Sequence, residues 1–246
     1  MPILYLSPST QENNFYVSGG TEEQYMNLLA DKMVPYLDAS GIRYVRNTPS
    51  MTAVSSIAAS NAGTYDLHLA LHSNAAPEGQ YGTVRGSIVF YYPGSAKGQR
   101  AAEIIADGLK EIYPIPNLVR AEGTTAIGEV RRVNAPSAFL ELAYHDNTYD
   151  ASWIKNNLDA IARNIVISLT EYFGIPFYET EQNASGTVDV SWGALNIRAR
   201  PDQSAPILAQ APDGAPLNII NHSNGWYLVN YNGTIGYASG SFITLN

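Results

Sequence analysis

The chain has 246 residues, of which 45% are hydrophobic and 15% charged, a composition typical of globular rather than disordered proteins. Its 14 Lys and Arg residues against 22 Asp and Glu residues give a net charge of −8, so we expect neither nucleic acid nor a membrane among its partners. Cysteine is absent, which excludes disulfides, thiolate metal ligands and cysteine nucleophiles. A metal ion would therefore need histidine, carboxylate or amide ligands.

Residues 1–177 alternate between patterns typical of strands and of helices. Short apolar runs predict strands at 3–6, 43–46, 66–72, 86–92 and 137–144. Apolar residues spaced about four apart predict helices at 21–37, 96–113 and 151–173. This alternation predicts an α/β fold, with a mostly parallel sheet flanked by helices.

The composition changes after residue 177. Residues 178–187 are polar and lack apolar periodicity, as a linker does. Residues 188–246 contain short strand-like runs separated by tight-turn pairs such as Asn224-Gly225 and Asn232-Gly233, which predicts a small all-β barrel. The sequence contains no apolar stretch long enough for a membrane span, and it begins without the basic residues of a signal peptide, so we expect no leader in this chain.

Glu141 is an acid within the apolar strand predicted at 137–144. If both faces of the sheet are covered, burial of this charge costs several kcal/mol unless a cation, a metal ion or a proton offsets it. The alternative is a glutamate that faces solvent at the edge of a half-exposed strand. The strand pattern alone leaves both interpretations open.

His68 and His72 lie four residues apart in the strand predicted at 66–72. On a helix this spacing would bring both side chains to one metal ion, but on a strand, at about 3.3 Å per residue, it separates them by about 13 Å. His72 lies at the carboxyl end of its strand, where open α/β sheets bind ligands, although it could instead close a turn by hydrogen bonding. His68 lies in mid-strand, and we expect it to be a hydrogen-bonded core residue.

Two further candidates have equally simple structural explanations. Glu23 lies in the first turn of the helix predicted at 21–37, where the helix dipole favours acids whether or not they have a function, and Glu22 lies there too. His145 follows the strand predicted at 137–144, so it lies either in the same crevice as His72 or in a surface loop.

Residues 1–175 resemble the zinc-dependent N-acetylmuramoyl-L-alanine amidases of the Amidase_3 type. The matching segments lie in order along the chain: Tyr5-Leu6-Ser7-Pro8, Glu23-x-x-x-Asn27-Leu28, Ser60-Asn61, Asp66-Leu-His-Leu-Ala-Leu-His72-Ser-Asn74 and Ala135-Pro136-Ser-Ala-Phe-Leu-Glu141-Leu-Ala-Tyr144-x-x-Asn147. The resemblance implies that Glu23 and His72 are zinc ligands and that Glu141 is the catalytic acid/base. It also implies a substrate, peptidoglycan, cut between N-acetylmuramic acid and the L-alanine of the stem peptide.

The chain departs from this family at one metal ligand. The family's first strand usually ends in a Gly-His-Gly turn whose histidine binds zinc, but residues 7–13 contain no histidine. Gln11 or Glu12 could supply an oxygen from nearly the same place, and His145 could supply a nitrogen, the atom that zinc prefers over an amide. We favour His145 as the third ligand. The departure also keeps open a degenerate peptidoglycan-binding protein without metal, and a metal-independent glycosidase that uses Glu23 and Glu141 is a second alternative.

Residues 188–246 resemble a bacterial SH3 (SH3b) domain. The resemblance is carried by Leu195-Asn196-Ile197-Arg198, Pro201, Asp213-Gly214, Gly225-Trp226-Tyr227 and Gly236-Tyr237. It implies a cell-wall-binding module attached to an amidase catalytic domain at 1–177. We therefore expect a protein that acts at the bacterial cell wall, either secreted or released as a phage lysin.

Overall fold

A computed structural model describes residues 1–179 and 183–246. The chain divides into two compact units. The first, called here the α/β unit, consists of Ile3–Val34 and Tyr44–Tyr172. The second, called the C-terminal unit, consists of Met1–Pro2, Pro35–Arg43 and Phe173–Asn246.

The first sheet has six strands in the order β2-β1-β3-β6-β4-β5. Their bounds are β1 Ile3–Pro8, β2 Arg43–Arg46, β3 Leu67–Asn74, β4 Ser87–Tyr91, β5 Val119–Gly123 and β6 Ser137–Tyr144. The pairs β1–β3, β3–β6 and β4–β5 are parallel, whereas β4 runs antiparallel to β6. The mostly parallel sheet predicted from the sequence is therefore confirmed, and β1, β3 and β6 end side by side.

Six α-helices accompany this sheet. They are α1 Glu22–Ala39, α2 Ala53–Asn61, α3 Ala96–Ile112, α4 Gly128–Arg131, α5 Thr148–Asn156 and α6 Leu158–Phe173, and a 3-10 turn spans Pro116–Leu118. The single helix predicted at 151–173 is wrong, because the chain leaves helical geometry at Asn157, where φ is −128°. Gly174 follows α6 with a φ of +67°, the left-handed conformation that glycine adopts beyond a helix end. The sequence did not predict α2, β5 or α4.

Strand β3 is buried along its length, which explains its nearly continuous apolar sequence. Leu67, Leu69 and Leu71 on one face are fully buried, and so are His68 and Ala70 on the other. A strand covered on both faces cannot alternate between apolar and polar residues. The polar side chains that this strand does carry must therefore find partners inside the protein.

The C-terminal unit contains a seven-stranded antiparallel sheet in the order β13-β7-β10-β11-β12-β8-β9. Its strands are β7 Ala184–Val188, β8 Ala194–Arg198, β9 Ile207–Pro212, β10 Pro216–Ser223, β11 Trp226–Tyr231, β12 Thr234–Ser239 and β13 Ile243–Leu245, with a 3-10 turn at Gly240–Phe242. Asn224 and Asn232 have φ values of +50° and +49°, as the predicted Asn-Gly turns require. The predicted linker, 178–187, includes the start of β7, and its residues 180–182 lie outside the described part of the chain.

Across the described ranges, no helix combines the length and the apolar character that crossing a membrane requires.

A buried carboxylate, Asp150, holds the start of β4 against the end of β6. It is fully buried and accepts hydrogen bonds from Arg85 Nε at 2.9 Å and from the Tyr113 hydroxyl at 2.7 Å. It also accepts from the backbone N–H groups of Gly86, at 3.1 Å, and Tyr144, at 3.2 Å. These four donors offset the cost of burying the charge.

Asp150→Ala should lower the free energy of unfolding by about 3 kcal/mol, because it removes one partner of a buried ion pair and leaves two backbone donors unsatisfied. Asp107→Ala is the matched control, since Asp107 pairs with Lys110 on an exposed helix surface, and its effect should stay within about 0.5 kcal/mol. Urea unfolding of both variants measures the difference. Equal losses of stability would contradict the role assigned to Asp150.

Candidate active site

The candidate site forms where β1, β3 and β6 end. In the parallel pairing of β3 with β6, His72 lies directly opposite Glu141. The His72 ring is 6% exposed and stacks on Phe139 with 4.3 Å between the ring centroids. The structure thus brings together two of the residues selected from the sequence, His72 and Glu141, in the carboxyl-terminal halves of adjacent strands.

The carboxylate beside His72 belongs to Glu22. Glu22 Oε1 lies 2.7 Å from His72 Nδ1, and Glu22 Oε2 accepts a hydrogen bond from Asn14 Nδ2 at 2.6 Å. Its side chain is 1% exposed. Burial would raise the pKa of Glu22, but the contact with His72 outweighs it, so the pKa lies below its ordinary value.

Glu23, the residue implied by the resemblance, does not make this contact. Its side chain is half-buried, and its Oε1 accepts a hydrogen bond of 3.4 Å from Asn27 Nδ2, one turn further along α1. One residue turns a helix by about 100°, so Glu22 and Glu23 cannot point the same way. Glu22 shares its face with the buried Met26 and Leu29, four and seven residues later, and this spacing is the signal that could have identified it.

Gln11 is the next side chain beside His72. Its Nε2 lies 3.3 Å from His72 Nδ1, and its Oε1 accepts a hydrogen bond from Asn14 Nδ2 at 2.9 Å. A half-turn of the amide exchanges these two atoms, so Gln11 can direct either an oxygen or an N–H group toward His72. Glu12, the other candidate in this segment, is exposed like Gln11, but among the described residues it makes no hydrogen bond or ion pair with His72.

His145, which the sequence analysis favoured as third metal ligand, is not directed to the pair. Its Nδ1 donates a hydrogen bond to the backbone oxygen of Ser73 at 2.9 Å, and its ring stacks on Tyr16 with the centroids 5.4 Å apart. Between Glu141 and Tyr144, strand β6 slips its register against β3, and the irregularity turns the following residues. The structure therefore gives His145 a hydrogen-bonding role on the loop that contains Tyr16.

Glu141 differs from Glu22 and Glu129 in having a buried oxygen that forms no hydrogen bond within the described part of the chain. Its Oε2 is buried and has no hydrogen-bond partner among the described residues. Burial raises its pKa to about 7; Glu22 adds to the increase, and His72 opposes it. A carboxyl group with a pKa near neutrality can both accept and release a proton.

Glu129 is the site residue that the sequence analysis missed. It lies on α4, is 5% exposed, and places Oε2 at 3.4 Å from His72 Nε2. Its other oxygen, Oε1, lies 3.3 Å from His68 Nε2 and accepts a hydrogen bond from Ser7 Oγ at 2.5 Å. No periodic pattern marks a four-residue helix, so only the buried setting of α4 reveals this carboxylate.

The two carboxylates on either side of His72 control its charge. Burial alone would lower the pKa of His72, but hydrogen bonds and charge interactions with Glu129 and Glu22 raise it to about 10. Burial likewise opposes the ionised form of Glu129, yet the two histidines lower its pKa to about 2. Without a metal ion, a protonated His72 therefore offsets part of the negative charge of these two buried carboxylates.

These residues fit a divalent metal ion, although through an unusual third ligand. His72 and Glu22 are ligands of the types that zinc prefers, and Glu22 Oε1 lies 2.7 Å from His72 Nδ1. Within residues 1–179 and 183–246, no three His, Asp or Glu side chains converge as a metal-binding group. A third protein ligand would therefore be of another type, and the amide of Gln11, 3.3 Å from His72 Nδ1, is a candidate.

A cavity of about 430 Å³ opens beside this group. Its lining includes Thr10, Gln11, Met51, His72 and Glu129. His72 thus joins this cavity to the Glu22–His72 pair, and a buried acid beside such a pair is an arrangement found in hydrolytic enzymes.

Sequence comparison gives the family. Residues 9–171 match the N-acetylmuramoyl-L-alanine amidase family, and residues 193–244 match the bacterial SH3 domain. The first match covers more than half of the chain, which therefore belongs to the N-acetylmuramoyl-L-alanine amidase family and has the enzyme activity of that family. Members of this family are generally zinc-dependent. A search of curated protein sequences returned no match.

Solved structures of two amidases and of one endolysin share the fold. The N-acetylmuramoyl-L-alanine amidase from Clostridium difficile 630 aligns with a TM-score of 0.62 at 16% identity, over 70% of this chain and 97% of that one. The catalytic domain of CwlV from Bacillus (Paenibacillus) polymyxa gives 0.61 at 13% identity, over 72% and 100%. The catalytic domain of the CD27L endolysin, which targets Clostridia difficile, gives 0.58 at 20% identity, over 70% and 98%.

Proposed function

We propose that this chain is a zinc-dependent peptidoglycan hydrolase that cleaves the amide bond between N-acetylmuramic acid and the L-alanine of the stem peptide. The observation that supports this most directly is the buried, unpartnered oxygen of Glu141 beside the Glu22–His72 pair. A carboxylate placed in that way has an acid–base role available to it. The family match supports the choice of substrate.

His72 through Nδ1, Glu22 through its carboxylate and Gln11 through its amide oxygen would hold the zinc ion. When bound, zinc supplies a Lewis acid that polarises the substrate carbonyl and increases the acidity of water. Glu22 and His72 are held rigidly by burial, by Asn14 and by the stack on Phe139, so they enter the reaction already oriented.

Glu141 moves the proton. In its ionised form it accepts a proton from the attacking water, whose oxygen forms a bond to the lactyl carbonyl carbon. It then gives that proton to the leaving nitrogen of L-alanine as the carbon–nitrogen bond breaks. Its pKa of about 7 in the metal-free protein makes both transfers accessible near neutral pH.

Glu141→Gln should reduce the rate of amide cleavage by about 10²–10⁴-fold, because the amide cannot transfer the proton. Glu111→Gln, at an exposed glutamate of α3, is the matched control and should act as the unchanged chain does. The measurement is the release of L-alanine amino groups from purified sacculi, with reducing ends assayed in parallel. Comparable amine release by the Glu141 variant would refute the mechanism, and release of reducing ends alone would indicate a glycosidase.

Glu22→Gln should reduce bound zinc and amine release, whereas Glu23→Gln should leave both near their original levels, since only Glu22 lies against His72. Zinc content after purification without a chelator, and activity with and without one, measure the difference. A loss confined to the Glu23 variant would restore the ligand implied by the sequence. Binding to sacculi without zinc or amine release would indicate the degenerate wall-binding protein.

The C-terminal unit, with its match to the bacterial SH3 domain, is the proposed wall-targeting module. It has a cavity of about 640 Å³ whose lining includes Trp192, Arg198, Trp226 and Phe242. Trp192 is 87% exposed and Phe242 is 47% exposed. Exposed aromatic side chains of this kind supply much of the binding energy at recognition surfaces, and here they offer flat faces to the sugars or peptides of the wall.

Trp192→Ala should weaken binding to sacculi by about tenfold, the effect expected for one aromatic side chain at such a surface. The fold should persist, since Trp192 is almost fully exposed. Leu245→Ala removes another exposed apolar side chain, outside the lining of the cavity, and serves as the control. Co-sedimentation is measured with the Glu141→Gln substitution present, so that the sacculi stay intact, and equal binding of the two variants would contradict this binding surface.

A further inference from the structure

Glu129 lies on the opposite side of the His72 ring from Glu22. Its Oε2 is 3.4 Å from Nε2, whereas Glu22 Oε1 is 2.7 Å from Nδ1. The two carboxylates therefore contact different nitrogens of the same imidazole ring. Because the lone pairs of these nitrogens diverge, Glu129 cannot bind a metal ion held at Nδ1 together with Glu22.

The carboxylate of Glu129 is itself held in place. Ser7 Oγ donates to Oε1 at 2.5 Å, and His68 Nε2 lies 3.3 Å from the same oxygen. The His68 ring is in turn fixed by the Ser60 hydroxyl, 2.9 Å from Nδ1. All of these groups are buried, so Glu129 reaches His72 from a rigid support.

A carboxylate at one imidazole nitrogen has a known consequence for the other. It accepts the N–H proton at its own side, fixes the tautomer and the ring orientation, and leaves the second nitrogen free to bind a metal ion. Stability of the fold alone would not require the Glu129–His72 contact, since a buried charge pair can often be replaced by apolar side chains of similar volume.

We propose that Glu129 is a positioning residue that holds His72 through Nε2, so that Nδ1 faces Glu22 and Gln11. Ser7 and the Ser60–His68 pair hold the Glu129 carboxylate in its position beside the His72 ring. This inference rests on the proposed function, in which His72 is a zinc ligand through Nδ1. The orientation of the ring can nevertheless be measured without zinc and without activity.

The test compares Glu129→Gln with Asp150→Asn, which removes the charge of another fully buried carboxylate with polar partners. Imidazole ¹H–¹⁵N spectra report the state of the His72 ring, and competition with a chromophoric chelator reports the zinc affinity. In Glu129→Gln, the His72 Nε2–H signal should shift upfield and exchange faster with water, and zinc should bind about 10–100-fold more weakly. In Asp150→Asn, only the thermal midpoint should fall.

A Glu129→Gln protein that loses thermal stability but keeps the His72 signals and the zinc affinity would overturn the proposal. If that variant does not fold, the unchanged chain provides the test. Its zinc-loaded form should carry a proton on Nε2 of His72. Metal attachment at Nε2 instead would overturn the proposal. If the unchanged chain binds no zinc, the proposed function fails, and the metal-free spectra of the two variants still test the role of Glu129.

Discussion

A single imidazole between two buried carboxylates is the arrangement on which the rest of the site depends. Glu22 and Glu129 are 1% and 5% exposed, and an isolated buried carboxylate costs several kcal/mol. His72 interacts with both, which is why its pKa rises to about 10 while that of Glu129 falls to about 2. In the metal-free chain a protonated His72 therefore supplies one positive charge between two negative ones. In the proposed zinc site, metal binding at Nδ1 would displace a proton from His72, which would couple folding, protonation and metal affinity.

The topology of the sheet explains why these groups meet. Because β1, β3 and β6 are adjacent and parallel, their carboxyl ends lie at one edge, where the loop after β1 returns to begin α1 with Glu22. The short helix α4 precedes β6 and brings Glu129 to the far side of His72. Glu141, opposite His72 on β6, is the carboxylate that this network leaves uncompensated. Its raised pKa is thus a consequence of burial in a sheet covered on both faces.

The sequence predicted the helices and strands that have a periodic apolar pattern. It did not predict features that depend only on how distant residues are arranged in the fold. Apolar runs located β3 and β6, and therefore His72 and Glu141 within them. Choosing between Glu22 and Glu23 required knowing which face of α1 is buried. The spacing from Glu22 to the buried Met26 and Leu29 indicates that face, whereas a motif match does not.

Glu129 and His145 show the limit of pattern reasoning more clearly. A helix of four residues has no period to detect, so α4 and its carboxylate could not be predicted. The position of His145 just beyond β6 suggested the crevice, yet strand position fixes only an edge of the sheet and not the direction of a side chain. The register slip between β3 and β6 turned that side chain to the backbone of Ser73.

In the proposed zinc site, Gln11 in place of a histidine would change the chemistry of the metal position without changing its charge. A neutral imidazole and a neutral amide contribute equally little charge, so Glu22 remains the anionic ligand in either case. The electrostatic attraction for a divalent cation is therefore retained, whereas a nitrogen donor is exchanged for a harder and weaker oxygen donor. Such a set would bind zinc less tightly than two histidines and a carboxylate do, and it would depend more on the orientation of its one imidazole. In the proposed site, the rigid support that Glu129 gives His72 therefore matters more than it would beside a second histidine ligand.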